Sequence, residues 1–303
     1  MKRKAIDSVG KLRQAFASTP PQEIAQEASE GNPKHLRRLA RLRPGDQAEA
    51  ADLYEYAHDL LYTDIQDSLL AYLLPFCMEA WRHDQRGTHN GYGGFVEHFY
   101  PVLANRQLFD IHLNPTQTAA VSDFMRESIL EEIDDQRELA YQGMNTGPYR
   151  WVRALTTYGV LLPNIERLWT SWWSIETVGQ AVAAVQYISW LMYPENENPV
   201  FAPWTSDAGG GPPCLWDFEG HLYTHRWLDA NVRFLRESLR AQEVGEVLNQ
   251  AVARLVDEPE LKIAEEVRSD FPLCVETLAA RCDDLPRLLE TTREPGKLCE
   301  WST

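Results

Sequence analysis

A chain of 303 residues that is 44% apolar and 24% charged has a folded globular composition, long enough for one large domain or two ordinary ones. Its formal charge of −16 disfavours nucleic acid and anionic lipid as partners and favours basic proteins. Five cysteines with no CxxC pair argue against a disulfide framework and a zinc ribbon, and so predict reduced thiols.

The charge is unevenly placed. Residues 1–44 hold ten Lys or Arg against four acids, so the remaining 19 basic and 41 acidic residues leave the body near −22. The first sixteen residues have the positive end of a secretory signal but no apolar run behind it, which predicts a cytoplasmic protein. The longest charge-free apolar run, residues 177–194, contains Gln180, Gln186 and Ser189. It falls short of the roughly 20 residues a bilayer requires.

In chain order, helical patterns follow one another. Residues 1–18 read as a short basic helix stopped by Pro20 and Pro21, with a second helix over residues 22–29. Residues 34–43 carry Leu36, Leu39 and Leu42 three apart among basic residues, the pattern of a surface helix docked by its leucines. Residues 46–64 form the next helix, and residues 65–81 another that Pro75 is expected to kink or divide. The glycines of residues 87–94 make a loop, and residues 95–103 resume a helix. Asn114 then caps a helix with Pro115 at its first position, running toward Tyr141 and ending near Gly143.

The segment expected at the centre of the core is residues 149–193. It holds Trp151, Trp169, Trp172, Trp173 and Trp190, and aromatic rings bury the most apolar area per side chain. Its second half has Ile175, Val178, Val182 and Val185 at helical spacing with no charge between Glu176 and Glu195, so most faces of that helix should be covered by protein. One of the adjacent Trp172 and Trp173 must lie near the helix edge, because neighbours on a helix point about 100° apart.

Residues 195–220 change character. They are rich in Gly and Pro, too long for an ordinary connection, and contain Trp204 and Trp216, which argues against disorder. Helices return over residues 222–240, 243–256, 261–271 and 274–291. No β alternation longer than four or five residues occurs. The expected fold is all-α, a multi-helix bundle-like globule with one long ordered loop. Its expected parts are a basic helical arm (residues 1–45), a helical core (46–258) and C-terminal helices packed on that core (259–303).

Candidate chemistry is sparse. Glu55 and His58 form one Glu-x-x-His unit, where di-iron bundles use two. His221 and His225 are four apart near Glu219 but lack the glutamate of HExxH. Neither spacing supplies the three or four ligands of a zinc site, so no metal and no cofactor is implied. No nucleophile elbow and no phosphate loop is present. The acidic run Glu131, Glu132, Asp134 and Asp135 is a solvated face or a partner patch. The loop's Glu195, Glu197, Asp207, Asp217 and Glu219, without a Lys or Arg, project negative potential. Trp204 and Trp216 beside them are of the residue type most enriched at interface hot spots.

The block LYTDIQDSLLAYLLPFCMEAW, residues 61–81, resembles a segment of helical, acidic bacterial proteins that serve as immunity partners of secreted toxins. The resemblance implies a protein that neutralises a basic cognate toxin by binding it. Charge and the absence of a catalytic constellation lead to the same expectation: a binding protein with a basic protein partner, off the membrane. The alternatives are a metal-assisted enzyme using His221 and His225, and a DNA-binding regulator using the basic N-terminal arm.

Overall fold

A computed structural model describes residues 8–85, 93–104, 106–139, 147–193, 198–200 and 227–289. The described residues form thirteen α-helices and no strand, the all-α architecture expected from the sequence. In order they are α1 (Ser8–Ala15), α2 (Lys34–Leu39), α3 (Ala50–Tyr62), α4 (Asp67–Gln85), α5 (Gly93–Ala104), α6 (Arg106–His112) and α7 (Pro115–Asp134). There follow α8 (Gly147–Leu161), α9 (Ile165–Trp173), α10 (Val178–Met192), α11 (Asp229–Ser238), α12 (Ala241–Arg254) and α13 (Leu261–Leu289). The chain divides into two compact units, Met1–Ser128 and Ile129–Thr303.

In the first unit α3 packs on α2 and α5, and α4 packs on α1 and α5. The N-terminal helices are docked by their apolar residues: Leu12, Leu36 and Leu39 are fully or almost fully buried. Arg13 adds a bidentate pair to Glu79, with nitrogen to oxygen distances of 2.7 and 2.9 Å. Pro75 does not divide α4, which runs on as one helix to Gln85. The carbonyl that the proline leaves without an intrahelical donor is that of Ala71, and it accepts the Ala17 N–H at 3.1 Å. A chain segment from elsewhere replaces the lost bond.

Residues 22–29 are not helical. Their backbone donors go to side chains instead: Ala25 N–H to Gln66 Oε1 at 2.8 Å and Ser29 N–H to Asp59 Oδ1 at 2.8 Å. The start of α7 is as the sequence predicts, with Asn114 Oδ1 accepting the N–H groups of Thr116 and Gln117, each at 3.0 Å. Its end comes earlier, at Asp134. There Gln136 N–H turns back to the Ile133 carbonyl, the Arg137 guanidinium bonds the Asp134 carbonyl, and Glu138 adopts a left-handed φ of 69°.

The second unit is built on α10, which packs against α9, α12 and α13. Every residue from Gly179 to Met192 is buried, as the charge-free run predicts. Trp151, Trp169 and Trp172 meet Tyr187 around it with ring centres 5.3 to 6.1 Å apart. Trp172 is fully buried and Trp173 only partly so, the edge geometry expected of adjacent residues. Thr177 caps α10 by accepting Gln180 N–H. Arg281 closes the other end, donating to the Trp190 carbonyl at 2.7 Å and the Tyr193 carbonyl at 3.2 Å.

The C-terminal region is one helix rather than two. α13 continues through Pro272 because the carbonyl four residues back belongs to Arg268, which is exposed, so water can replace the missing donor.

Candidate functional site

The densest polar cluster lies in the first unit, where α3 meets α2 and the extended segment before it. Asp59 on α3 has no solvent exposure. Its Oδ2 accepts from His35 Nε2 at 2.6 Å, and its Oδ1 accepts both the N–H and the hydroxyl of Ser29 at 2.8 Å. Because the single hydroxyl proton of Ser29 goes to this carboxylate, the 2.8 Å contact between Ser29 Oγ and His58 Nδ1 runs from the imidazole N–H to the oxygen. Burial alone would raise the Asp59 pKa. The hydrogen bonds from His35 and Ser29, with the nearby His35 charge, outweigh it and hold the carboxyl below its ordinary value.

This arrangement contains Ser, His and Asp, yet it does not make a nucleophile. In a hydrolytic triad an imidazole stands between serine and carboxylate and takes the serine proton. Here the serine stands between His58 and Asp59 and gives its proton directly to a weakened base. The cluster fastens α2 and the segment before it to α3, reinforced by Arg38 Nε on both Asp52 oxygens at 2.8 and 3.0 Å. Ser29 and His35 lie 30 and 24 residues before Asp59, so no local spacing announces the cluster.

Beyond Asp59, the His58 ring packs at a tilt of 46° against Tyr62 with ring centres 4.5 Å apart and has His98 at 6.1 Å. Glu55 is half-buried one turn before His58. No group of three or more His, Cys, Asp or Glu side chains that could hold a metal ion occurs among the described residues. Nor is any helix among them long and apolar enough to cross a membrane.

The acidic run at the end of α7 is divided in its roles. Glu132 is buried, accepts from Gln136 Nε2 at 3.2 Å and lies 3.9 Å from the Arg150 guanidinium. Asp134 accepts from Thr177 Oγ1 at 3.0 Å and Gln180 Nε2 at 2.9 Å, joining the end of α7 to the cap of α10. Glu131 is half-buried, and only Asp135 is exposed. The other acidic and aromatic candidates, Glu195, Glu197, Trp204, Asp207, Trp216, Asp217 and Glu219, lie outside the described residues, as do His221 and His225.

A different acidic surface is present on α12 and α13. Glu243, Glu246, Glu265, Glu266 and Glu276 are exposed, and of these only Glu265 has an ion-pair contact among the described residues, Arg268 at 3.8 Å. Leu273 stands among them on α13 at 84% exposure. The sequence shows each carboxylate but not that these positions share the outward sides of two neighbouring helices. Among the described thiols, burial raises Cys77, Cys274 and Cys282, the last to about 11 with Asp283 adding to the effect and Arg236 opposing it.

The chain matches no known protein family, no curated protein and no solved structure.

Proposed function

We propose that this protein acts by binding a basic protein partner, in the manner of an immunity protein that blocks a secreted toxin. The observation that carries this reading is the charge of the second unit. Residues 129–303 hold 28 Asp or Glu against 15 Lys or Arg, a net of −13, with glutamates exposed on α12 and α13. Such a surface accelerates encounter with a cationic partner, and an exposed leucine among the carboxylates offers an apolar anchor. The Ser29, His35, His58 and Asp59 cluster, spent on internal hydrogen bonds, favours binding over catalysis.

The test is co-expression with candidate basic toxins, followed by association kinetics on any purified pair that forms. The wild-type chain should abolish toxicity, and its on-rate should fall steeply with salt. Glu266→Arg combined with Glu276→Arg should slow association by about tenfold at low ionic strength and leave the melting temperature unchanged. An on-rate insensitive to both salt and charge reversal rejects the reading.

A further inference from the structure

In the second unit, α11, the first turn of α12 and α13 bound a cleft of about 500 Å³. Three of its lining residues are Arg233, Arg236 and Arg240, spaced so that they follow one side of α11 into the connection after it. Elsewhere in this unit Arg281 is fixed by two carbonyls at the end of α10, at 2.7 and 3.2 Å. The cleft arginines are held by fewer contacts. Arg240 makes no side-chain bond among the described residues, Arg233 has one 3.4 Å contact to the Asp229 carbonyl, and Arg236 has one 3.2 Å contact to Asp283.

We propose that this cleft binds the phosphoryl group of a small phosphorylated molecule. Guanidinium forks match phosphate oxygens in geometry and keep their charge at every physiological pH, and three of them suit a group carrying two negative charges. The cleft volume falls in the range of small-ligand sites, about 300 to 1,000 Å³. Residue 240 precedes α12 without a side-chain cap, so the first-turn N–H groups add to the positive potential. The remaining lining is partly apolar, including Leu239 and the Cys282 thiol, which is buried and donates to the Leu239 carbonyl at 3.2 Å. Two carboxylates, Glu237 and Asp283, oppose the anion. The Asp283 side chain is 81% exposed and its contact to Arg236 is solvent-screened, so the aspartate yields its place easily. The proposal is independent of the partner-binding reading, which uses the carboxylates of the same unit.

Calorimetric titration of the full chain with pyrophosphate at low ionic strength tests it. The expected result is saturable binding of one equivalent with a Kd below about 1 mM. Arg240→Ala, at an exposed position, should weaken it by roughly tenfold or more, the loss of one charge-assisted contact. Asp283→Asn should tighten it several-fold, because it frees Arg236, an effect that a merely structural residue would not produce. Absence of saturable heat with pyrophosphate overturns the proposal. So does pyrophosphate binding that Arg240→Ala and Asp283→Asn both leave unchanged, or that citrate reproduces with equal affinity.

Discussion

Gly179 lies so close to the backbone carbonyl of Asp134 that a methyl group on its Cα would overlap that oxygen. The closeness lets the first turn of α10 meet the last turn of α7, and the Asp134 side chain then reaches Thr177 and Gln180. Alanine is the better helix former by about 1 kcal/mol, so propensity alone predicts that Gly179→Ala stabilises. Overlap with backbone cannot be relieved by a rotamer change, and we expect a net loss of about 3 kcal/mol. Urea denaturation decides the sign, and a variant as stable as its parent would show that the two helices separate without cost.

Asp59 ties acid stability to the His35 and Ser29 contacts. Its folded pKa is lowered, so the unfolded chain protonates this carboxyl first on acidification. The stabilisation is therefore complete above the ordinary aspartate value of about 3.9 and is lost as pH falls through the folded value. Asp59→Asn should cost about 3 kcal/mol at neutral pH by leaving its donors mismatched in a buried place. It should also flatten the decline of stability with acid. Chemical denaturation at several pH values checks both, and an unchanged acid slope would remove Asp59 from the account.

Trp172 separates ring packing from hydrogen bonding. It is fully buried against Trp151, Trp169, Trp173 and Tyr187, and its Nε1 has no hydrogen-bond partner among the described residues. Trp172→Ala should destabilise by roughly 3 to 5 kcal/mol. Trp172→Phe keeps part of the aromatic contact and forfeits no hydrogen bond, so it should cost less than half of that. Equal melting temperatures for the two variants would mean the ring contacts carry little of the stability.

What was legible in the sequence was what periodicity and local capping govern. The covered faces of α10, the Asn114 cap and the edge position of one of Trp172 and Trp173 each follow from residues within one or two turns of each other. What was not legible depends on residues far apart in sequence. The fate of Pro75 rested on Ala17 donating to Ala71, and residues 22–29 gave their donors to Gln66 and Asp59 instead of to a helix of their own. For the candidate sites the contrast is similar. Charge counts found the acidity of the chain but not that Glu132 turns inward. The arginine cleft went unread, because it exists only where α13 comes back against α11.

The junction of α8, α9 and α11 depends on one buried amide. Asn231 Nδ2 donates to the carbonyls of Gly159 and Leu162, each at 2.9 Å, and Oδ1 accepts the Ile165 N–H at 3.2 Å. These groups belong to the end of α8 and the start of α9, where Asn164 takes a left-handed φ of 70°, so helix-end donors and acceptors have few alternatives. Gly159 in the same place abuts the Trp227 ring with no room for a side chain. Asn231→Leu keeps approximate volume but removes the side-chain partner of the Leu162 carbonyl and the Ile165 N–H and leaves the Gly159 carbonyl with only the 3.4 Å contact from Leu228 N–H, and Asn231→Ala leaves the same groups beside a cavity that can admit water. We therefore expect Asn231→Leu to cost at least as much as Asn231→Ala, about 3 kcal/mol or more. That order is the reverse of what volume alone predicts. Paired denaturation curves measure it, and a leucine variant clearly more stable than the alanine variant would show that packing, not hydrogen bonding, holds this junction.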